Sequence, residues 1–429
     1  MIIAAIVLLI LLLALGLPVA AVLGLLGVLL SEIYSTLPLS RAVGEVAWTS
    51  SNGFLLMSIP LFVMLGEVLL RSGMADRMYG AMMHWLSWLP GGIMHSNIGA
   101  CTLFAATCGS SAATAATVGT VALPQAKKYG YNERLFLGTL ASGGTLGILI
   151  PPSINMIIYG ALTDTSIPKL YLAGIIPGLV LAGLFMLTIL IACIYKPSWG
   201  GRSFETDWSK RWRSLPDLMP PLLIFGVIIV SIYTGIATAT ESAALGLAAA
   251  LALASFRGAV TLELLRQVME GTMRTTAMIM LIIIGAFFLN FIMGGIGLTA
   301  VLNNSILSLQ LSPYALLLAV VIFYVILGCF METLSMMVTT LPVITPVMVA
   351  AGFDPVWFGI VVIILIEMAL ITPPVGLNLY VIQGIRTNGS VSDVIIGSSP
   401  FVVTMFLMIG LLALFPEIAL MLPSLALSP

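Results

Sequence analysis

Residues 107–130 read TCGSSAATAATVGTVALPQAKKYG, and residues 131–163 continue YNERLFLGTLASGGTLGILIPPSINMIIYGALT. The first segment opens with the small and hydroxyl residues Gly109, Ser110 and Ser111. The second segment is an apolar helical pattern that reaches Pro151-Pro152. Because proline lacks an N–H group and excludes α geometry from the residue before it, the helix must break there. The stretch therefore predicts backbone groups without helical partners in an apolar surrounding.

The composition of the whole chain indicates a membrane protein. Of the 429 residues, 60% are hydrophobic and 8% are charged, whereas a soluble chain has roughly 25% charged residues. Apolar runs of roughly 18 or more residues recur along the sequence, and each is long enough to span a bilayer. The chain lacks the apolar–polar alternation of a transmembrane β-barrel. An all-α polytopic membrane fold is therefore predicted.

The cysteines and the amino terminus give weaker signals. Cys101, Cys108, Cys193 and Cys329 lie in apolar segments without CxxC spacing, so we interpret them as small buried residues. Residues 1–15 are apolar enough for a signal peptide. A basic n-region is missing and the apolar run continues to Leu30, which favours a retained first span.

Hydropathy predicts nine ordinary spans, at residues 1–30, 54–71, 134–160, 168–195, 218–236, 238–256, 275–293, 355–382 and 393–421. Segments 31–52 and 257–274 carry charges at near-helical spacing and predict amphipathic helices at the membrane interface. Segments 90–125 and 312–348 are apolar but interrupted at mid-length, which is typical of re-entrant helical hairpins. Residues 196–217 form the one loop of soluble character.

A shift of 222 positions aligns the unusual residues of the two halves. Pro151-Pro152 falls on Pro373-Pro374, since 151 + 222 = 373. The same shift places Pro124 on Pro346, Gly130 on Gly352, Gly73 on Gly295, and Leu23-Gly24-Leu25 on Leu245-Gly246-Leu247. Broken helices at corresponding places in two halves are the best sequence indication of a transporter site.

The distribution of basic residues predicts how the halves are oriented. If Lys127 and Lys128 face the cytoplasm, only Arg41 and Lys169 of the 16 basic residues fall outside. This distribution satisfies the positive-inside rule. The extra span at 218–236 then places the second half in the opposite orientation, and the second hairpin enters from the outer side. Charge alone thus predicts inverted repeats.

The two broken helices predict a cation site. Free carbonyl oxygens beside hydroxyl groups are ligands for a hard cation such as Na⁺, and helix N-termini at the same place favour an anion. In the first half the candidate ligands are Ser110, Ser111, Gly147, Ile150 and Pro152. In the second half they are Glu332, Thr333, Ala369, Thr372 and Val375. Two or more Na⁺ sites are expected.

Several other polar residues are candidates for a function within the membrane. An acidic side chain within the membrane is costly, so Glu332 is expected to have a function. Three roles are open for it: a cation ligand, a proton carrier or a packed protonated carboxyl. Glu367 is similar, and a structural role is favoured for it. Asn155 and Asn378 follow the proline pairs and are, with Ser153, candidate substrate ligands; helix capping is the alternative for the asparagines.

Two further sets of polar residues have ordinary explanations. Glu67 and Arg71 are spaced for an i,i+4 ion pair. His84 and His95 have no metal-ligand spacing. The sequence has no HExxH, Gly-x-Ser-x-Gly or P-loop motif. Uphill transport would therefore need an ion gradient.

The sequence around the hairpin tips and proline pairs resembles that of the large membrane subunit of tripartite ATP-independent periplasmic (TRAP) transporters. The resemblance rests on four passages in the family's order: GSSAATAATVGTVALPQAKKYGY, ASGGTLGILIPPSINMIIYG, GCFMETLSMMVTTLPVITP and LITPPVGLNLYVIQG. It covers essentially the whole chain. It is specific for the type of subunit and much less so for the substrate.

The resemblance implies a Na⁺-driven importer of organic acids such as C4-dicarboxylates or sialic acid. It implies two partners, a small four-span membrane subunit as a separate chain and a periplasmic substrate-binding protein. It also implies elevator movement of a transport domain against a scaffold. The expected location is the bacterial inner membrane, with the N-terminus cytoplasmic and the C-terminus periplasmic. A nucleic-acid partner is not expected.

The expected domain organisation follows from the repeats and the resemblance. Residues 1–195 form the first repeat, with scaffold 1–72, hairpin 90–125 and broken helix 134–160. Residues 196–236 form the linker and extra span. Residues 237–429 form the second repeat, with scaffold 238–293, hairpin 312–348 and broken helix 355–382.

Two alternatives remain open at this stage. One is a stand-alone Na⁺- or H⁺-coupled anion symporter of the same superfamily, which takes substrate directly from solution. The other is an intramembrane enzyme that uses Glu332 and Glu367 as an acid–base pair. The second alternative gives the internal repeat no purpose, so an enzyme is not expected.

Overall fold

The structure is a computed structural model that describes residues 1–202, 204, 206–301, 304, 310–386 and 388–426. Positions 203 and 205 of the predicted linker lie outside the described residues. Throughout these described ranges the chain is helical or forms turns and loops, with no β-strand. This confirms the predicted all-α class.

The helices follow in chain order as α1 (Ile2–Ala14), α2 (Val19–Tyr34), α3 (Val43–Ser51), α4 (Ser58–Arg71), α5 (Met74–Leu86), α6 (Ile93–Cys108), α7 (Ser111–Tyr129), α8 (Glu133–Leu149), α9 (Ile154–Thr163), α10 (Ile167–Tyr195), α11 (Trp208–Tyr233), α12 (Ala239–Phe256), α13 (Leu262–Gly295), α14 (Pro313–Gly328), α15 (Thr333–Ala350), α16 (Pro355–Ala369), α17 (Leu377–Ile385), α18 (Val391–Leu414) and α19 (Glu417–Ala426). Short 3₁₀ turns occupy Leu39–Ala42, Phe54–Met57 and Pro197–Gly200.

Seven of the described helices are long and apolar enough to cross a membrane. The number rises to eight when α8 and α9, bent by 44° at their junction, are taken as one broken span. Four shorter apolar helices, α1, α2, α14 and α16, accompany them. A multi-span membrane protein is therefore the plain interpretation of the fold.

The amino-terminal segment differs from the single span predicted at 1–30. Two helices, α1 and α2, replace it and pack against each other. Gly16 has a φ of 71° and Pro18 precedes the first residue of α2. A left-handed glycine followed by a proline ends one helix and starts the next. The predicted interfacial helix at 31–52 is likewise shorter, with α3 beginning only at Val43.

The second interfacial segment was also predicted incorrectly as a separate helix. Residues 257–274 and 275–293 largely share α13, which is continuous for 34 residues. Such a helix is about 51 Å long, well beyond the roughly 30 Å core of a bilayer. Glu263, Arg266 and Glu270 are exposed on its first turns, as their spacing suggested. No proline interrupts α13, so the charged turns continue directly into the apolar ones.

The two hairpin and broken-helix segments have matching helix starts. Helices α7, α8 and α9 begin at residues 111, 133 and 154, and helices α15, α16 and α17 begin at 333, 355 and 377. The differences are 333 − 111 = 222, 355 − 133 = 222 and 377 − 154 = 223. Both proline pairs, Pro151-Pro152 and Pro373-Pro374, contain a cis peptide bond. The opposite membrane orientation of these segments stays a prediction.

The linker between the halves closes over the base of the first hairpin. The Asn132 N–H donates to the Trp199 carbonyl at 3.2 Å, and the Arg202 N–H donates to the Tyr129 carbonyl at 2.8 Å. His84 of α5 contacts the described part of the linker through Thr206 Oγ1 at 3.0 Å from its Nδ1. The linker thereby fixes the end of α7 and the start of α8.

Candidate functional site

The tip of the first hairpin lies against the first helix break. Helix α6 ends at Cys108, Gly109 follows with a φ of 62°, and Ser110 caps α7 by accepting the Ala113 N–H at 3.5 Å. A Cβ on Gly109 would lie 2.9 Å from the Pro152 carbonyl oxygen. The tip therefore has room only for glycine at this contact.

The first break is completely buried. Helix α8 ends at Leu149, and Ser153 caps α9 by accepting the Met156 N–H at 3.4 Å. Gly147 lies beside the hairpin tip, because a Cβ there would be 2.7 Å from the Ser110 carbonyl oxygen. The structure thus brings together Ser110, Gly147 and Pro152 of the predicted cation ligands. The side chain of Ile150 packs toward Gly178 of α10, and its carbonyl stays a predicted ligand.

The second break is more open. Thr372 donates its hydroxyl to the Met368 carbonyl at 2.7 Å, and the Asn378 N–H reaches back to the Leu370 carbonyl at 3.0 Å. Pro373 and Pro374 are exposed, and Val375 has 40% of its surface exposed. The predicted ligands at this break therefore lie nearer the protein surface than those at the first break.

The tip of the second hairpin contacts the second break. Glu332 occupies the N-cap position of α15 and accepts a hydrogen bond from the Ser335 hydroxyl at 3.0 Å. The thiol of Cys329 donates to the Pro373 carbonyl at 3.5 Å. A Cβ on Gly328 would overlap the Ala369 Cβ, so the end of α14 lies directly against the end of α16.

A buried side-chain contact joins the first hairpin tip to the helix before the second break. Ser111 Oγ donates to the carboxylate of Glu367, at 2.8 Å from Oε1 and 2.9 Å from Oε2. Glu367 lies on α16, shortly before the second break, and only 1% of its surface is exposed. Sequence reasoning ranked Glu332 above Glu367. The signal that could have raised Glu367 is its position in a continuous apolar run.

A cavity of about 210 Å³ lies between the two hairpin tips. Ser110, Ser111, Asn155, Glu332 and Thr333 of the predicted site residues line it. The remaining predicted residues are outside its lining: Gly147, Ile150, Pro152, Ser153, Ala369, Thr372, Val375 and Asn378. The opposite wall comes from α4, through Val63, Gly66, Glu67 and Leu70, and from α13, through Thr275, Met278 and Ile279.

Four helices have residues of their amino-terminal turns in the lining of this cavity. Its lining includes first-turn residues of α7 (Ala112, Ala113), α9 (Ile154, Asn155), α15 (Thr333, Leu334) and α17 (Leu377). Each N-terminus carries free N–H groups and a partial positive charge. No lysine, arginine or histidine of the described residues is in the lining. The positive charge available in the lining therefore comes from the backbone N–H groups, whereas Glu67 and Glu332 are acidic.

The two candidate asparagines have different surroundings. Asn155 is 3% exposed, lines the cavity, and its Nδ2 has no hydrogen-bond partner in the described structure. Asn378 donates its Nδ2 to the Ala141 carbonyl of α8 at 3.1 Å, while its Oδ1 is buried without a partner. Asn155 is thus a cavity-lining residue with a buried, unpartnered donor, and Asn378 has a buried, unpartnered oxygen outside the lining.

The described residues contain no group of three or more His, Cys, Asp or Glu side chains that could hold a metal ion. Oxygen atoms at the breaks are the remaining candidate ligands. The Ser111–Glu367 pair, the buried Asn378 Oδ1 and the carbonyls near Gly147 supply them. Such a donor set fits a hard monovalent cation better than a transition metal.

Known proteins with this pattern identify the family. The profile of the family described as tripartite ATP-independent periplasmic transporter, DctM component, matches residues 6–418. The chain belongs to this family. This permease is 32% identical over 440 residues to the C4-dicarboxylate TRAP transporter large permease protein DctM of Rhodobacter capsulatus, covering 97% of this chain and 98% of the relative.

Two further similarities define its neighbours. The sialic acid TRAP transporter large permease protein SiaM of Vibrio cholerae is 30% identical over 379 residues, with 87% of each chain covered. The crystal structure of the YdaH transporter of Alcanivorax borkumensis has a similar fold, with a TM-score of 0.61 and 15% identity, and covers 97% of this permease and 99% of YdaH. The family confirms a transporter subunit and not an enzyme.

Proposed function

We propose that this permease is a Na⁺-coupled importer of a small organic acid anion. The observation that carries the proposal is the cavity in which four helix N-termini meet an unpartnered Asn155 amide. Backbone N–H groups and an amide donor bind a carboxylate without any basic side chain. Relatives named for C4-dicarboxylates, sialic acid and isethionate support an organic anion as the substrate class.

Na⁺ coupling is supported by the oxygens around the cavity. The Ser111 hydroxyl contacts the Glu367 carboxylate, and the carbonyl of Ser110 lies beside Gly147, just before the first break. Glu332 and Thr333 take the corresponding position on the second hairpin. A bound cation beside the helix N-termini would increase the affinity for the anion by direct attraction, which is the simplest physical basis for coupling.

An elevator movement is supported by the composition of the cavity walls. One wall comes from the hairpins and broken helices, and the other from α4 and α13, which belong to the predicted scaffold. Glu67 lies four residues before Arg71, so it is about 6 Å along the helix axis from the predicted cytoplasmic end of α4. The position of the cavity near this end favours an inward-facing state.

Two partners complete the proposed system. A small four-span membrane subunit would bind the scaffold, and a periplasmic binding protein would deliver the substrate. The assembly would lie in the bacterial inner membrane, with the N-terminus of this chain in the cytoplasm and its C-terminus in the periplasm. The positive-inside count supports this orientation.

Uptake by proteoliposomes tests the proposal. The large and small subunits are reconstituted together, the binding protein is added outside, and radiolabelled succinate, sialic acid and isethionate are offered separately. We expect uptake of one substrate that requires an inward Na⁺ gradient and is lost when K⁺ replaces Na⁺. Uptake that is independent of Na⁺ would contradict coupling, and full uptake without the binding protein would favour a stand-alone symporter.

A further inference from the structure

Glu67 and Glu332 are the two acidic residues in the lining of the cavity proposed to bind an anion, and Glu67 is the one on the scaffold side. It lines the cavity from α4, opposite the tip of the first hairpin. Its side chain is 18% exposed, and its Oε2 accepts a hydrogen bond from Arg71 Nε at 2.7 Å. The predicted i,i+4 ion pair is therefore present. Arg71 itself is not among the residues that line the cavity.

The packing around Glu67 fixes where its carboxylate lies. A Cβ on Gly271 of α13 would be 2.6 Å from the Glu67 Cδ and 2.7 Å from its Oε2, so only glycine leaves space for this side chain. Arg71 Nη1 donates to Gln267 Oε1 at 3.1 Å, which ties the pair to α13. The carboxylate is therefore held between two scaffold helices and cannot follow a hairpin that moves.

Apart from Thr275 of α13, the remaining polar side chains of the cavity belong to the predicted moving parts. Glu332, Ser111 and Asn155 lie on the hairpins and the first broken helix. An anion carried by these elements would meet the Glu67 charge only while the hairpin tips face this end of α4. Arg71 offsets part of the Glu67 charge, but only Glu67 lines the cavity, so an anion there would lie nearer the carboxylate and be repelled.

We propose that Glu67 is a release residue: a fixed scaffold carboxylate that weakens binding of the transported anion in the inward-facing state. This inference rests on the proposed function, because it assumes that an anion enters the cavity. In the outward-facing state the cavity would have moved away from Glu67. The residue would then lower the affinity on the cytoplasmic side without lowering it on the periplasmic side.

The electrostatic part of the proposal can be tested without a substrate. Ala113, a half-buried residue of the cavity lining, is replaced by cysteine in a background whose four native cysteines are alanine. Its reaction rates with an anionic sulfonatoethyl and a cationic trimethylammonioethyl methanethiosulfonate are compared. We expect Glu67→Gln to raise the anionic-to-cationic rate ratio by about fivefold.

Glu270→Gln is the matched control for this measurement. Glu270 lies on α13 next to Gly271, carries the same charge and is exposed outside the cavity lining. The rate ratio should be unchanged in Glu270→Gln and in the charge-conserving Glu67→Asp. An equal ratio in Glu67→Gln and Glu270→Gln would overturn the proposal, whichever substrate the permease carries.

The transport part uses the native cysteines and the complete system. Binding protein is added outside, so that only permeases with the periplasmic face outward take up substrate. The substrate that the wild type carries (succinate, sialic acid or isethionate) is also loaded inside the vesicles. Glu67→Gln should lower the luminal concentration that half-inhibits uptake by about fivefold and leave external half-saturation unchanged. Equal effects on both sides, or none, would overturn release by Glu67.

A double variant covers the case in which an unpaired Arg71 disturbs folding. Glu67→Gln with Arg71→Gln removes both charges, and luminal inhibition should lie between those of wild type and Glu67→Gln. Wild-type inhibition in a folded double variant would overturn the proposal. If no organic anion is carried by the wild type, the proposed function fails, and the thiol measurement still decides whether Glu67 repels anions.

Discussion

Ser111 and Glu367 form a direct hydrogen bond between the first hairpin and the second broken helix, with Ser111 Oγ 2.8 Å from Glu367 Oε1. Both residues are buried, at 1% exposure each. They are 256 positions apart in the sequence. The bond therefore fixes the hairpin tip of one half relative to the helix break of the other.

Replacing Ser111 with alanine should leave the Glu367 carboxyl without this donor. A buried polar group that loses its partner costs about 1–3 kcal/mol. We expect a lower thermal unfolding temperature and a higher Na⁺ concentration for half-maximal uptake. Thr117→Val is the control, because the Thr117 hydroxyl lies on the same helix and has no hydrogen-bond partner in the described structure. Equal Na⁺ dependence in both variants would remove Ser111 from the cation site.

Gly147→Ala should displace the first hairpin tip. The added Cβ would lie 2.7 Å from the Ser110 carbonyl oxygen and 2.8 Å from Thr114 Oγ1. Overpacking of this kind costs about 1–3 kcal/mol. Because the strain falls on the predicted cation site, we expect roughly a tenfold loss of Na⁺ affinity. Gly183→Ala on α10 adds the same group in open space and should behave as wild type. Na⁺ titration of uptake distinguishes the two.

Asn155 and Asn378 should respond differently to replacement by alanine. Asn155 Nδ2 has no protein partner, so its loss should raise the substrate concentration for half-maximal uptake by about tenfold with little change in unfolding temperature. Asn378 donates to the Ala141 carbonyl, so its loss should lower the unfolding temperature. Uptake kinetics and thermal unfolding of both variants check this. Normal substrate affinity in Asn155→Ala would exclude Asn155 from substrate binding.

The positions of the helix breaks follow from the sequence, whereas their partners do not. A proline pair removes two N–H donors and disfavours α geometry before it, so both breaks were placed from local chemistry. Pro220-Pro221 shows that the rule is not general, because this pair lies within the continuous helix α11. The pairing of Ser111 with Glu367 depends on how distant helices rotate against each other. No periodicity within either segment contains that information.

Asn378 illustrates the same limit on one helix. Leu377 lines the cavity, while Asn378 faces α8. Successive helical residues point about 100° apart, so a one-residue difference decides which of them reaches the substrate. The continuity of α13 was missed for another reason. Its charged turns pass into its apolar turns without a proline or other helix-ending residue, and hydropathy marks only where the apolar part begins.

Glu332→Gln should test whether the second hairpin supplies a charge to the cation. Glutamine keeps an oxygen that can accept the Ser335 hydroxyl, so the hydrogen bond at 3.0 Å is retained while the charge is removed. We expect roughly a tenfold rise in the half-saturating Na⁺ concentration. Ser335→Ala removes the hydrogen bond and keeps the carboxylate, which separates geometry from charge. Wild-type Na⁺ dependence in Glu332→Gln would mean that this carboxyl is protonated or only packed.

The contact between Gly66 and Cys108 provides a test of movement between α4 and the first hairpin. A Cβ on Gly66 would lie 3.2 Å from Cys108 Sγ and 3.5 Å from its Cα, a separation compatible with a disulfide. Gly66→Cys should therefore form an intramolecular disulfide with the native Cys108 under mild oxidation. A crosslink at this point would hold the hairpin tip against the predicted scaffold.

If the hairpin must slide along α4 in each transport cycle, oxidation of Gly66→Cys should abolish Na⁺-driven uptake and reduction should restore it. The added side chain packs tightly against the Cys108 backbone and can slow uptake even without a disulfide. The uptake rate of the oxidised variant is therefore compared with that of the same variant in its reduced form. The same variant with Cys108→Ser cannot form the bond and should be insensitive to oxidation. Undiminished uptake by protein that mass spectrometry shows to be crosslinked would rule out this movement, since a covalent bond between the two elements leaves no path for an elevator step.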